Sequence, residues 1–526
     1  MASGFLNIVL HAHLPYIEHP RDPYHIEQRW LYEAVTESYI PLIDTFTRLC
    51  ENGIPFHVTL SLSPPLCAML TNRHLQERCE EYIRNQISLA AFECTRTQGN
   101  PSLYPLSKRY LEDYTRILHS YLAYGSDLIR ALQRLKAKGV LSLMTSSATH
   151  AYLPLLEDYP AAVHAQIRGG LELFRRTTGE VSEGFWLPEC GYSADIEAAM
   201  KKNGVPFTVI DSHGVIFGRP FPSSGVYQPL IGPSGILLFG RDSATSELIW
   251  SAESGYPADP DYRDFYADVA SDLPDAAVRE FLHPGGIRVP SGIKYRKITG
   301  KGEKDWYDPV KASLKVGIHA EHFIRRVSGL IDKVSALMSI KPVITVAFDA
   351  ELFGHWWHEG CFWLEHTLSG FARNKDITFI SGGAFHDGKT GFEHITPEQS
   401  SWGYRGYHET WINPRNDWMI GPMQGATELA LGLARRHRAT TDRATVRALN
   451  RMTRELFLLQ SSDWSFMIDR GISESYARER FLNHADRLTR IARMITEGKK
   501  EDIDPAERDR AEGTFLETDF RWLIER

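Results

Sequence analysis

The sequence predicts an α/β protein built on a (β/α) barrel, with a helical excursion from the barrel and a helical C-terminal domain. Three observations predict it. Short apolar runs recur between residues 5 and 348, and each ends in polar, chemically capable side chains. Helix-compatible segments lie between several of these runs. Two longer stretches, 66–138 and 414 onward, carry helical patterning.

The runs follow in order. Phe5–Leu10 leads into His11 and His13, and Pro55–Leu62 ends at Ser63-Pro64-Pro65. Val140–Met144 leads through Thr145–Thr149 to His150, and Gly184–Trp186 leads to Glu189. Pro206–Ile210 ends at Asp211, followed by His213; Ile236–Phe239 is followed by Arg241 and Asp242; Val343–Phe348 ends at Asp349. Short continuous apolar runs read as strands buried on both faces, as in a parallel sheet. A barrel of such strands gathers its active site at their C-terminal ends, from several strands at once. One strand-end His or Asp reads equally well as a loop cap; seven such ends argue for a common mouth.

Residues 66–138 are long for a single connection and read as a helical insertion. Leu449, Met452, Leu456 and Leu459 follow helical spacing, as do Phe481, Leu488, Ile491 and Ile495. The expected division is a catalytic barrel over 1–65 and 139–413, an insertion over 66–138 and a C-terminal helical domain over 414–526. The charged stretch Lys499–Arg510 is expected to be solvated.

Composition bounds the function. With 59 basic and 66 acidic residues, the net charge of −7 is mild for 526 residues and shows none of the basic bias of a nucleic-acid binder. Neutral or polar substrates fit better. The six cysteines, at 50, 67, 79, 94, 190 and 361, form no CxxC pair, which argues against a zinc ribbon and for reduced thiols in the cytosol. No signal-peptide pattern opens the chain, and no window approaches a membrane span. A cytoplasmic monomer or small homo-oligomer is expected.

The chemistry concentrates in a few segments. In Gly184–Tyr192 (GFWLPECGY) an acid follows Trp-Leu-Pro and precedes Cys-Gly-Tyr. Pro188 biases Leu187 to extended geometry, and Gly191 permits a tight turn. A helix-capping Glu is the plain alternative, but Trp186 and Tyr192 are the company of a sugar-site carboxylate. In Val343–Gly360 (VITVAFDAELFGHWWHEG) Asp349 and Glu351 follow a buried strand, and His355, Trp356, Trp357 and His358 come next. Glu351 is the rival acid. Two carboxylates from different strands are the minimum equipment for glycoside hydrolysis or transfer. His11 and His13 share a strand face by alternation, which would also suit a metal, with His150 and His213 as further ligands. A metal-dependent carbohydrate hydrolase or deacetylase therefore stays open at this point. Trp402 in Ser400-Ser401-Trp402-Gly403 and Trp411 in His408-Glu409-Thr410-Trp411 sit beside Gly and polar residues, as exposed platforms do; Trp30 and Trp250 are more isolated.

HAHLP at the start, ATHAYLPL at 148–155, GFWLPECGY, AFDAELFGHWWHEG, SSWGYRGYHETW and QSSDWSF together resemble the conserved regions of glycoside hydrolase family 57, over nearly the whole chain. The resemblance is to its 1,4-α-glucan branching enzyme group, which includes members first labelled α-amylases. It implies a (β/α)7 barrel, a helical insertion, a C-terminal helical domain and a retaining double displacement on α-1,4-glucans without metal or organic cofactor. It places the nucleophile on Glu189 and the general acid/base on Asp349. It puts His11, His13, His150 and His355 in the donor site, Trp30, Trp250, Trp402 and Trp411 along the glucan, and Asp463 of SSDW within reach of the site. Asp211, His213, Arg241 and Trp357 complete the expected substrate-binding set. One departure stands out. Where the branching group carries a lid loop with a Tyr at its tip, Phe217–Gly225 (FGRPFPSSG) is short and lacks Tyr. A lid that excludes water favours transfer over hydrolysis, so α-amylase or 4-α-glucanotransferase activity is the alternative expectation.

Overall fold

A computed structural model describes residues 3–524, apart from 20, 21, 23, 252, 284, 300–303, 339, 375, 386–390 and 500–517. Beyond Lys499, the charged stretch expected to be solvated lies outside the described residues.

The apolar runs form strands: β1 (Gly4–Ala12), β2 (Val58–Leu62), β3 (Leu141–Thr145), β4 (Phe207–Ile210), β5 (Leu230–Ile231), β6 (Leu237–Gly240), β7 (Val343–Asp349) and β8 (Ile377–Phe379). One parallel sheet runs β3-β2-β1-β7, and a second pairs β4 with β6 in parallel, with β5 antiparallel on β6. Two junctions join the sheets. Trp186 donates its backbone N–H to Thr145 at 2.7 Å, and Phe185 donates to Phe207 at 3.1 Å. On the other side Arg241 bridges Thr345 in parallel, and Asp242 donates to Thr345 at 2.8 Å. The circuit β1, β2, β3, the 183–186 segment, β4, β6, β7 and back to β1 is a (β/α)7 barrel. The fourth stave is too short to be a regular strand, because Pro188 removes the next donor.

Alternation fixes which side chains look inward. Leu6, Ile8 and Leu10 of β1, with Ile344, Val346 and Phe348 of β7, join the apolar layer under the surrounding helices. Val9 of β1, Met144 of β3, Val209 of β4, Phe239 of β6 and Ala347 of β7 fill the barrel interior with Trp186. Each fully buried Leu or Phe in these layers contributes about 2 kcal/mol. Continuing the inward period by two residues brings His11 from β1, Asp211 from β4, Arg241 from β6 and Asp349 from β7 to the mouth, and two more, just past the end of β1, bring His13.

Helices Arg73–Thr97, Tyr104–Ala123 and Leu128–Ala137 follow β2, and helices Pro309–Ser335 and Gly360–Arg373 pack on each other beside β7. From residue 420 to 497 the chain is mainly helical, with Ile420–Arg436, Arg443–Leu459, Ser462–Arg470 and Glu474–Glu497. The stretch between Trp250 and Pro309, expected as part of the barrel span 139–413, packs back on the 73–123 helices: Gln86 bonds the Ser291 carbonyl, Tyr110 that of Lys294 at 2.9 Å, and Tyr295 donates to Glu93 at 3.0 Å. No described helix is long and apolar enough to cross a membrane.

Candidate active site

Glu189 sits in a 3-10 turn, Pro188–Cys190, with φ +61, and Cys190 follows at +52. Two consecutive left-handed non-glycine residues store strain of about 1–3 kcal/mol each. His150 is also left-handed, at φ +54. The strain lifts the Glu189 carboxylate out of the turn and into the mouth. Its Oε2 accepts the Trp402 indole N–H at 2.7 Å, and its Oε1 lies 3.4 Å from the Ser462 hydroxyl, which donates to it. The Trp402 backbone N–H also bonds the Glu189 carbonyl, at 2.9 Å. Burial is the main reason the Glu189 pKa rises to about 7; the Asp463 charge adds to it, and the two hydrogen bonds pull the other way.

Asp349 ends β7, in register with His11 of β1. Burial, then the charges of Glu351 and Glu189, hold its carboxyl well above the usual range, against Arg241. Glu351, the rival acid, leaves the strand: β7 stops at Asp349 and a 3-10 turn follows at Ala350–Leu352. Its Oε1 accepts the Tyr39 hydroxyl at 2.5 Å and the His13 backbone N–H at 3.0 Å. That anchors the turn.

Three imidazoles stack beside the acids. His13 lies 3.8 Å from His150, and His11 lies 4.9 Å from Trp186, ring centre to ring centre. Burial opposes a charge on His13, but Asp463, 2.9 Å from its Nε2, raises its pKa overall. Of the three imidazoles, His13 is thus the one whose charged form is favoured, and its Nδ1 lies 2.8 Å from the Ser63 hydroxyl. Burial and the His13 charge push the pKa values of His11 and His150 well down, so both are neutral. All four ring nitrogens of His11 and His13 are engaged, by Ser61 and His150 for one and Ser63 and Asp463 for the other. Among the described residues no three His, Cys, Asp or Glu side chains converge as a metal set.

Asp211 and Arg241 pair at 2.8 Å, and His213 donates from Nδ1 to Asp211 at 3.0 Å. Burial alone would raise the Asp211 pKa; His213 and Arg241 lower it overall. The Arg241 guanidinium lies 5.4 Å from the Trp402 ring centre. Trp250 is 47% exposed and stacks at 5.8 Å on Trp402. These two indoles are the open platform beside Glu189.

Other expected residues lie differently. Trp411 is 1% exposed and stacks on Tyr152 at 4.0 Å, with Gly403 too close to admit a Cβ. It is a wall behind the site and not the open platform expected. Trp357 is likewise corrected: at 2% exposure it packs on Tyr262 and Trp363, and its neighbour Trp356, 51% exposed and stacked on Phe265, takes the open position. The reason is the turn at 350–352, which reverses which indole looks out. His355 bonds Glu37 at 2.7 Å, away from the stacked imidazoles, and half-buried Trp30 meets Tyr476 edge-on at 5.8 Å. The reading from sequence missed Ser462, Ser61, Tyr39 and Glu37, and took Ser63 only as the polar end of an apolar run. Of those missed, Ser462, inside the SSDW motif, carried a signal that could have found it.

This barrel, with two half-buried carboxylates and stacked indoles at its mouth, defines the site of a carbohydrate-active enzyme, and comparison with known proteins agrees. The family model of glycosyl hydrolase family 57 matches residues 7–281, and that of the 1,4-alpha-glucan branching enzyme C-terminal region matches 423–522. A 1,4-alpha-glucan branching enzyme of Thermococcus kodakarensis is 32% identical, over 94% of this chain and 74% of its own. The crystal structure of the alpha-amylase AmyC from Thermotoga maritima is similar with a TM-score of 0.91 at 35% identity, covering 99% of both chains. That of a branching enzyme from Pyrococcus horikoshii gives 0.84 at 28% identity, covering 99% of this chain and 93% of the other. The chain belongs to glycosyl hydrolase family 57.

Proposed function

We propose that this enzyme is a 1,4-α-glucan branching enzyme that cuts an α-1,4 linkage by retaining double displacement and transfers the chain to a C6 hydroxyl. One observation carries the reading. The segment that matches the branching-enzyme C-terminal model supplies Ser462 and Asp463, which touch Glu189 and His13 directly. The glucan lies on Trp250 and Trp402. Glu189 attacks the anomeric carbon while Asp349 gives its proton to the departing O4. The glycosyl–Glu189 ester forms, and Asp349 then takes the proton of the incoming hydroxyl. The pKa directions suit these roles. Once Glu189 ionises, its charge helps keep the proton on Asp349. Asp211, Arg241 and His213 hold ring hydroxyls, and His13 faces the developing charge. The barrel over 1–65 and 139–413, the insertion over 66–138 and the C-terminal domain over 414–526 remain our division of labour. All six cysteines are free thiols, which supports a reducing, cytoplasmic setting.

A second reading, hydrolysis, is favoured by one stretch. Residues 217–225 are pinned down: Ser223 and Ser224 bond Glu393, and Arg219 bridges Thr396. Tyr227 is tied into the fold, its carbonyl bonding the Val343 N–H at 2.7 Å. The likeness to an alpha-amylase points the same way. Treating amylose with the enzyme and then with a debranching enzyme separates the two. Branching releases a distribution of short side chains; hydrolysis leaves only linear fragments from the start, which would overturn the proposal.

A further inference from the structure

One imidazole of the His-Trp-Trp-His run is still without a role. His355 is held by Glu37, but His358 meets only the edge of Tyr307, at 6.1 Å, and among the described residues its ring nitrogens take part in no hydrogen bond. Burial, then the positive charges of Arg263, Arg109 and Lys294, hold its pKa well below the ordinary value. The ring is therefore neutral, one nitrogen a donor and the other an acceptor.

His358 lines a cavity of about 890 Å³ between helix Ile40–Glu51, helix Tyr104–Ala123 and helix Gly360–Arg373. That volume lies within the ordinary range of ligand pockets, roughly 300–1,000 Å³. Arg263, 7% exposed, forms part of the wall; it donates to Tyr110 at 2.9 Å, and its Nε is buried without a partner. The charged side chains of the lining nearly balance, five basic against four acidic, and two pairs close directly, Arg48 with Glu365 at 2.6 Å and Arg116 with Asp113 at 2.9 Å. A phosphorylated ligand would ask for a surplus of cations, and an apolar one for apolar walls. Imidazole, guanidinium and carboxylate set among Tyr110 and Phe362 suit a neutral polyol, whose hydroxyls both give and accept. The cavity also adjoins the candidate active site. Glu37 lies in its wall; the next residue, Ser38, donates to the Glu351 carbonyl at 3.4 Å, and Glu351 accepts the His13 N–H.

We propose that this cavity is a second saccharide site, which holds a segment of α-1,4-glucan through His358, Arg263 and the Tyr110–Phe362 wall, separate from the chain lying across Glu189 and Asp349. The inference rests on the reading of this enzyme as acting on α-glucan. The test uses the full chain with Glu189→Gln, to block turnover, titrated with maltoheptaose by calorimetry. Two classes of site are expected. Adding His358→Leu, or Phe362→Ala at a half-exposed position that folding tolerates, should remove one class and leave the other within about twofold. In the active enzyme the same substitutions should raise KM for long amylose severalfold, with kcat unchanged and KM for maltotetraose unmoved. A single class of site, unaltered by either substitution, overturns the second site and leaves the glucan reading standing. No maltoheptaose binding at all overturns both.

Discussion

Glu189 is held from two distant parts of the chain, by Trp402 at Oε2 and Ser462 at Oε1. Ser462 has one proton. If that proton goes to the ionised carboxylate, every other one in the row is fixed. His150 must donate from Nδ1 to Ser462 at 2.9 Å, so its neutral ring accepts at Nε2 from His11 at 2.9 Å, and His11 accepts at Nδ1 from Ser61 at 3.1 Å. The row is polarised toward Glu189. A hydrogen bond to a charged group stabilises it by about 1.5–3 kcal/mol, roughly one to two pKa units; at 3.4 Å the Ser462 bond belongs at or below the lower end. Because the proposed mechanism needs Glu189 ionised and Asp349 protonated, kcat/KM should be bell-shaped, with an acid limb near the Glu189 pKa of about 7. Ser462→Ala should move that limb up by up to about one pH unit, and Ser462→Thr should leave it in place. A limb that stays put in folded Ser462→Ala would show the row does no electrostatic work. Glu189 and Asp349 stood out in the sequence as acids that follow apolar runs, with Glu351 as the rival to Asp349, and their proposed roles came from the family resemblance. The partners of Glu189 were not legible as such, because Trp402 and Ser462 lie 213 and 273 residues from it, and no local pattern encodes such a pairing.

At the scale of elements, the inward period of each strand explains why unrelated runs end in site residues, and this much was readable. What was not readable is how chain segments turn off the strands. The change from strand to 3-10 turn after Asp349 buries Glu351 and Trp357 and exposes Trp356, although alternation alone leaves the choice open. The 251–308 stretch pairs with itself through isolated bridges, Arg263 with Lys297 and Arg296 with Trp306, and leans on the 73–123 helices, so no long apolar run marks it. One close approach sets the frame for His150: helix Pro160–Thr178 presents Gly170 to the 146–148 turn, where a Cβ would fall 2.0 Å from the Ser146 carbonyl oxygen. Gly170→Ala should cost about 2 kcal/mol or more and lower Tm. It should also reduce kcat by displacing His150. Thermal unfolding with kinetics checks both, and an unchanged Tm would mean the helix shifts without resistance. On the open platform, Trp250→Ala should raise KM for amylose severalfold with little change in Tm, since the ring is half-exposed and its stacking on substrate is worth about 1–2 kcal/mol.

At the scale of the molecule, the barrel supplies Glu189 and Asp349, the two proposed acids, and the C-terminal helices add partners to the site. Ser462 and Asp463 reach Glu189 and His13 from helix Ser462–Arg470, so the site is finished only when the last quarter of the chain is docked. The barrel class and the helical character of the C-terminal part were legible from periodicity; that the latter reaches into the mouth came only from the resemblance at SSDW. The central claim is that Glu189 becomes glycosylated and Asp349 drives the second step. A glycosyl fluoride separates the steps, because fluoride leaves without a proton whereas the acceptor still needs a base. Full-length Asp349→Asn should therefore react with α-maltotriosyl fluoride and stall, and intact-mass spectrometry should show one added maltotriosyl group, mapped by peptide digestion to Glu189. Adduct on Glu351, or fluoride released with no adduct and inverted product, would contradict the account.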